Sequence, residues 1–183
     1  MLEEIYVLKL VCKRLDEAQI PYMLTGSVAA NFYAAPRMTR DIDIVIEILH
    51  SDASKFFDIF HDDFYINKES IEEAIKHENM FNIIHNDKVI KIDFVVRKKS
   101  PYRVTEFDRK KKIEFDDTQI WIVAPEDLII SKLLWAKDSL SDYQIRDVKN
   151  LLSSTKNLDE EYIKNWVKTL DLNTIFETVN SNG

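Results

Sequence analysis

The apolar positions of this chain change period several times along its length. Over residues 3–18, Ile5, Leu8, Val11, Cys12 and Leu15 recur at three-and-four spacing, which predicts an amphipathic helix ended by Pro21. Tyr22–Leu24 is a short apolar run that predicts a strand. Ser27–Ala35, rich in small residues and stopped by Pro36, predicts a short helix. From Asp41 to Ile48 apolar and polar residues alternate, the pattern of a half-buried strand. Helical spacing returns at 53–61 and 69–77. Met80–Ile84 and Lys88–Arg97 read as two strands of a hairpin joined through His85-Asn86-Asp87. Ile113–Phe115 and Gln119–Val123 predict two more short strands around Asp116-Asp117. From Pro125 the pattern is helical. Proline suits a first helical position, and Glu126 and Asp127 place negative charge where the helix dipole favours it. Further helices are predicted near 142–153, 159–169 and 173–180.

This order predicts an α/β (α+β) chain with a small mixed sheet. Residues 1–123 would form the sheet core with flanking helices, and 124–183 a helical C-terminal region packed on it. No internal repeat or low-complexity linker interrupts it. Hydrophobic residues make up 45% of the 183, enough for a real core. A net charge of -7 argues against general coating of nucleic acid. The apolar runs are too short to span a bilayer, so no membrane contact is expected. Glu3, Glu4 and Lys9 break the apolar core that a signal peptide needs. Cys12 has no partner for an internal disulfide, so it reads as a buried small hydrophobe in a reduced, cytoplasmic protein.

Glycine use sharpens the picture. Gly26 is the sole glycine before the terminal Gly183, and it lies between a predicted strand and a predicted helix. Such a position marks a tight turn or a backbone that approaches something closely. Downstream, Asp41 and Asp43 share one face of their strand while Ile42, Ile44, Ile46 and Ile48 take the other. Two neighbouring carboxylates repel and need a proton or a cation to coexist. A hard divalent cation, Mg²⁺ or Mn²⁺, is their natural partner. Asp93 lies opposite to the core face of Ile92, Phe94 and Val96, on a second strand able to lie beside the first. Three carboxylates on adjacent strands suit a two-metal displacement at phosphorus. Taken singly, each acidic position also fits an ordinary solvent-facing residue.

The run Leu24-Thr25-Gly26-Ser27 followed by Asp41-Ile42-Asp43-Ile44 resembles the signature of the polymerase-beta-type nucleotidyltransferase superfamily. The gap of 13 residues between Ser27 and Asp41 falls within that pattern. Arg37-Met38-Thr39-Arg40-Asp41-Ile42-Asp43 is similar to a run in small prokaryotic members, including abortive-infection and toxin–antitoxin nucleotidyltransferases. Two later stretches resemble further hallmarks: Ala124-Pro125-Glu126-Asp127-Leu128-Ile129-Ile130-Ser131-Lys132-Leu133, and Gln144-Ile145-Arg146-Asp147-Val148 with Leu151-Leu152. The likeness runs from about Tyr22 to about Leu152. It implies a metal-dependent transfer of a nucleoside monophosphate from an NTP to an acceptor hydroxyl, with pyrophosphate released. By the same resemblance Gly26 would admit the triphosphate and Ser27 would offer its hydroxyl and amide to phosphate. Asp41 and Asp43 would hold the metals. Asp93 would complete the metal site and help activate the attacking hydroxyl.

Lys132 shares a helix face with Leu128 and Trp135. It fits a phosphate ligand directed into a cleft, and it also fits a lysine snorkelling at the edge of an apolar stripe. Arg37 and Arg40 carry a weaker signal for phosphate. Residues 97–112 are basic, with Tyr102 and Phe107 interleaved, as in a local nucleic-acid contact. Glu106 and Asp108 within that segment favour a solvated charged loop. His50, His61, His77 and His85 are expected at the surface, and Trp121, Trp135 and Trp166 in the core. The alternative to catalysis is a nucleotide-binding regulatory partner in a two-gene defence or toxin–antitoxin module, which the intact aspartate trio disfavours. A metal-dependent nuclease is a third option, one with no obvious use for the Gly-Ser turn. The acceptor could be a small molecule, a protein hydroxyl or a tRNA end.

Overall fold

A computed structural model describes residues 2–39, 41–139 and 141–180. The first helix, α1 (Leu2–Glu17), buries Val7, Leu8, Val11, Cys12 and Leu15 along one stripe. It stops four residues before Pro21, through a left-handed Gln19 at φ 56° whose turn is closed by Ile20 N–H donating to the Leu15 carbonyl. Then follow β1 (Tyr22–Thr25), α2 (Gly26–Tyr33) and β2 (Ile42–Ile46). A single 3-10 turn leads into α3 (Ala53–Phe60), β3 (Phe64–Tyr65) and α4 (Lys68–His77). The hairpin of β4 (Met80–His85) and β5 (Lys91–Val96) comes next. After it come α5 (Pro101–Asp108), β6 (Lys111–Phe115) and β7 (Thr118–Ile122). The chain closes with α6 (Pro125–Ser139), α7 (Asp142–Ser154), α8 (Glu160–Thr169) and α9 (Asn173–Asn180).

The seven strands form one mixed sheet in the order β3-β4-β5-β2-β1-β7-β6. Two neighbouring pairs, β2 with β5 and β1 with β7, are parallel, and the others are antiparallel. Parallel pairing requires a crossover, and helices supply it in both cases. One sheet face is built from Leu24, Ile42, Ile44, Ile46, Phe81, Ile83, Ile92 and Phe94, all buried. Against it α3 sets Phe56 and Phe60. Phe56 meets the Phe94 ring edge-on at 5.0 Å and the Phe81 ring at 5.2 Å. This aromatic wedge fixes β5 beside β2 by area burial and by favourable ring geometry.

Several expectations need correction. The segment 97–112 is not a solvated loop, because α5 occupies Pro101–Asp108 and buries Tyr102, Glu106 and Phe107. Its three arginines are committed to acids. Arg97 pairs with Glu47, Arg103 with Glu106 at 2.7 Å, and Arg109 with Asp127 at 2.9 Å. His85 is 5% exposed, since alternation on β4 turns it to the core side with Phe81 and Ile83. There it meets the Phe64 ring at 5.0 Å. Trp135 is 56% exposed, whereas Leu128, expected on the same stripe, is 1% exposed. Two elements, β3 and α5, lie outside the predicted ones: two residues are too few for a period, and the one start signal of α5, Pro101 at its first position, sits inside a basic stretch.

Candidate active site

The outward face of β2 and β5 carries the acidic residues. The two strands run parallel in register, with Asp43 directly opposite Asp93. On the other side of β2, Thr25 of β1 stands opposite Asp43. On the other side of β5, Asn82 of β4 stands opposite Asp93. A single row across four strands therefore reads Asn82, Asp93, Asp43, Thr25, with all four side chains on one face. Asp41 lies one row away, just before β2, with its side chain 57% exposed.

Gly26 opens α2 immediately after Thr25 and has φ +68°, a conformation that side chains rarely adopt. A Cβ there would lie 2.6 Å from the Asp43 carboxyl carbon and 2.8 Å from its Cβ. The missing side chain thus makes room for the Asp43 carboxylate. Burial, reinforced by the Asp93 carboxylate, pushes the Asp43 acid up to about 6.

A second group assembles around Asp147, which α7 brings to the start of α2 and to α6. Asp147 is 4% exposed. It accepts from Arg37 Nε at 2.9 Å and from the Arg37 terminal nitrogen at 2.9 Å, a bidentate pair. Lys132 Nζ donates to the same carboxylate at 2.7 Å and to Gln144 Oε1 at 3.1 Å. Arg37 also donates to the Ser27 hydroxyl at 2.5 Å. Burial works against ionising Asp147, but Arg37 and Lys132 outweigh it and hold the acid below its ordinary range. Lys132 is 3% exposed, so it does not snorkel. It is an ion-paired residue set under the cleft, within electrostatic reach of Asp43.

The structure brings together Gly26, Ser27, Asp43 and Asp93 from the sequence reading, with Asp41 at the margin and Lys132 beneath. Arg40 lies outside the described residues. Two contributors carried no assigned role in the sequence. Asp147 sits inside the Gln144–Val148 stretch, and its position in space was hidden until α7 packed on α6. Lys91 stands two residues before Asp93, hence on the same strand face; its Nζ lies 2.8 Å from Asp93 Oδ2 and 3.7 Å from Asp41 Oδ2.

A divalent cation fits part of this arrangement. Asp93 is 6% exposed, and its Oδ1 has no hydrogen-bond partner, an orphaned acceptor aimed at the carboxylate face. Asp43, raised by burial and by a like charge, would be relieved by a cation. Among the described residues, however, no three carboxylates or imidazoles already converge on one point.

No protein-family profile and no curated protein matches this chain. Solved structures do. An antigenic nucleotidyltransferase-like protein from Paracoccidioides brasiliensis superposes with a TM-score of 0.60 at 16% identity, over 92% of this chain and 87% of that one. The lincomycin-bound lincosamide antibiotic adenylyltransferase LnuA gives 0.56 at 16% identity, over 85% of this chain and 98% of its own. The antibiotic-resistance factor ANT(2'')-Ia gives 0.58 at 10% identity, over 100% and 99%. Chains this dissimilar in sequence share architecture over nearly their whole lengths, and the fold of this chain is that of the nucleotidyltransferases.

Proposed function

We propose that this protein is a metal-dependent nucleotidyltransferase that moves a nucleoside monophosphate from an NTP to an acceptor hydroxyl and releases pyrophosphate. The observation that carries the reading is the in-register pair Asp43–Asp93 on parallel strands, with Gly26 shaped around the Asp43 carboxylate. Asp41, Asp43 and Asp93 would hold Mg²⁺ or Mn²⁺, which supplies positive charge to the reacting phosphate. Asp93 would also help to take the proton of the acceptor hydroxyl. Ser27 at the start of α2 offers a hydroxyl and a helix N-terminal amide to the phosphate tail. Arg37, bonded to that hydroxyl, and Lys132 beneath it add the positive charge that the tail requires. Asp147 orients both cations.

The acceptor is proposed to be a hydroxyl on a small molecule. Support comes from two neighbours whose names describe antibiotic chemistry: a lincosamide adenylyltransferase, and ANT(2'')-Ia solved with adenylyl-2''-tobramycin. The four labelled NTPs, each with Mg²⁺, should be incubated with hydroxylated small molecules, with protein and with tRNA. Label transfer that needs both Mg²⁺ and Asp43 supports the reading. Nucleotide binding without transfer to any of the three acceptor classes would favour a regulatory binding role instead.

A further inference from the structure

The carboxylate face already contains a cation, and it belongs to the chain. Lys91 projects from the same face of β5 as Asp93, and its ammonium bridges Asp93 Oδ2 at 2.8 Å and Asp41 Oδ2 at 3.7 Å. Its side chain is 38% exposed, so solvent reaches it. The other Asp93 oxygen, Oδ1, has no hydrogen-bond partner. A divalent ion held by Asp41 and Asp93 would have to stand where the ammonium now stands. Two positive charges a few ångström apart in a half-buried setting repel strongly. One must leave.

We propose that Lys91 is an internal counter-ion of Asp41 and Asp93 that competes with the divalent ion for them. Its flexible four-carbon stem lets the ammonium swing to solvent when the ion arrives. The two carboxylates are then free to bind the ion. Lys91 is therefore a positioning residue. It sets how tightly the ion binds, and it offsets carboxylate repulsion in the ion's absence. This inference rests on the reading of Asp41, Asp43 and Asp93 as the metal carboxylates.

The test is Mn²⁺ binding, followed by calorimetry and by the electron paramagnetic resonance of free Mn²⁺, together with melting temperature. The proteins compared are wild type, Lys91→Met, Lys91→Arg and Asp43→Asn, with Lys91→Gln replacing the methionine variant should that one not fold. The charge-removing variant should bind Mn²⁺ at least about tenfold more tightly, roughly 1.4 kcal/mol. It should also melt lower than wild type without metal and gain more on adding it. Lys91→Arg, which keeps the charge, should bind Mn²⁺ no more tightly than wild type. Equal or weaker Mn²⁺ binding by the folded charge-removing variant, with Asp43→Asn still losing the ion, would overturn the role of Lys91 alone. Mn²⁺ binding that is indifferent to Asp43 would overturn the metal reading and this inference with it.

Discussion

At the scale of single residues, Gly26 and Asp43 define each other. The glycine is needed twice, for its left-handed φ of +68° and for the space that the Asp43 carboxylate takes. A side chain in that conformation costs about 1–2 kcal/mol even without a clash. Gly26→Ala should therefore lower stability as well as activity. The two causes separate in a double-mutant cycle: the alanine should cost less in an Asp43→Ala background, where the clash with the carboxylate is gone and the backbone penalty remains with only the 2.8 Å contact to the residual Cβ. Equal costs in both backgrounds would mean that the carboxylate had simply moved aside. Asp43 itself predicts a pH dependence. Its folded acid sits at about 6 against an ordinary 3.8, so the folded protein binds the proton more readily than the unfolded chain. The resulting stability is fully present below about pH 4 and is lost as pH rises through about 6. Metal-free wild type should lose stability relative to Asp43→Asn across that window in denaturant titrations. Divalent-ion binding has the opposite sign, because the ion needs the carboxylate; affinity should fall as pH drops through about 6.

At the scale of elements, one carboxylate ties three segments together. Asp147 on α7 takes Arg37 from the segment after α2 and Lys132 from α6. Removing the acid strands two cations, one of them Lys132 at 3% exposure. Asp147→Asn should cost about 3 kcal/mol, because breaking a buried pair from one side leaves a charge without compensation. The apolar stripe that Lys132 shares with Leu128 makes methionine look harmless there. The structure reverses that expectation: Lys132→Met leaves Asp147 with Arg37 only and should be less stable than wild type. The two substitutions combined should cost less than their sum, a coupling readable in denaturant titrations. Asp147 had a motif position but no partner in the sequence, because Arg37 lies 110 residues away. Only the packing of α7 against α6 and α2 joins them.

At the scale of the whole molecule, the C-terminal helices are fastened to the sheet region by buried polar groups as well as by apolar area. Asp127, fully buried on α6, accepts from Arg109 at 2.9 Å and from the Tyr162 hydroxyl at 2.6 Å. The Arg109 guanidinium stacks 3.9 Å from the Tyr162 ring centroid. Tyr102 of α5 donates to the Asp127 carbonyl, and Tyr33 of α2 to the Val123 carbonyl. The Arg109–Asp127, Arg109–Tyr162 and Tyr102–Asp127 contacts cross the boundary at 123–124. The regions on either side should then unfold in one cooperative transition, with tryptophan fluorescence and far-ultraviolet dichroism coincident. Tyr162→Phe should lower stability by about 1.5–3 kcal/mol, since it removes a bond to a buried carboxylate. Two separated transitions would show that the helical region folds on its own.

The sequence by itself determined the α/β-then-helical order, the hairpin of β4 and β5, and the carboxylate faces of β2 and β5. These follow from local periods, in which the side chain of residue i fixes where i+2 or i+4 must point. It also singled out Gly26, because a chain that avoids glycine keeps one only where nothing else fits. Tertiary structure decided what those residues meet. Register placed Asp43 opposite Asp93, and a shift by one residue would have turned either carboxylate into the core. Docking of α7 turned Lys132 from one lysine on an apolar stripe into the buried partner of Asp147. The face shared by Asp93 and Lys91 was implicit in their spacing, yet the bridge to Asp41 exists only because β2 and β5 lie side by side. Periodicity is written in neighbouring residues and survives in the sequence; electrostatic partnership depends on distance in space, which the chain acquires only when it folds.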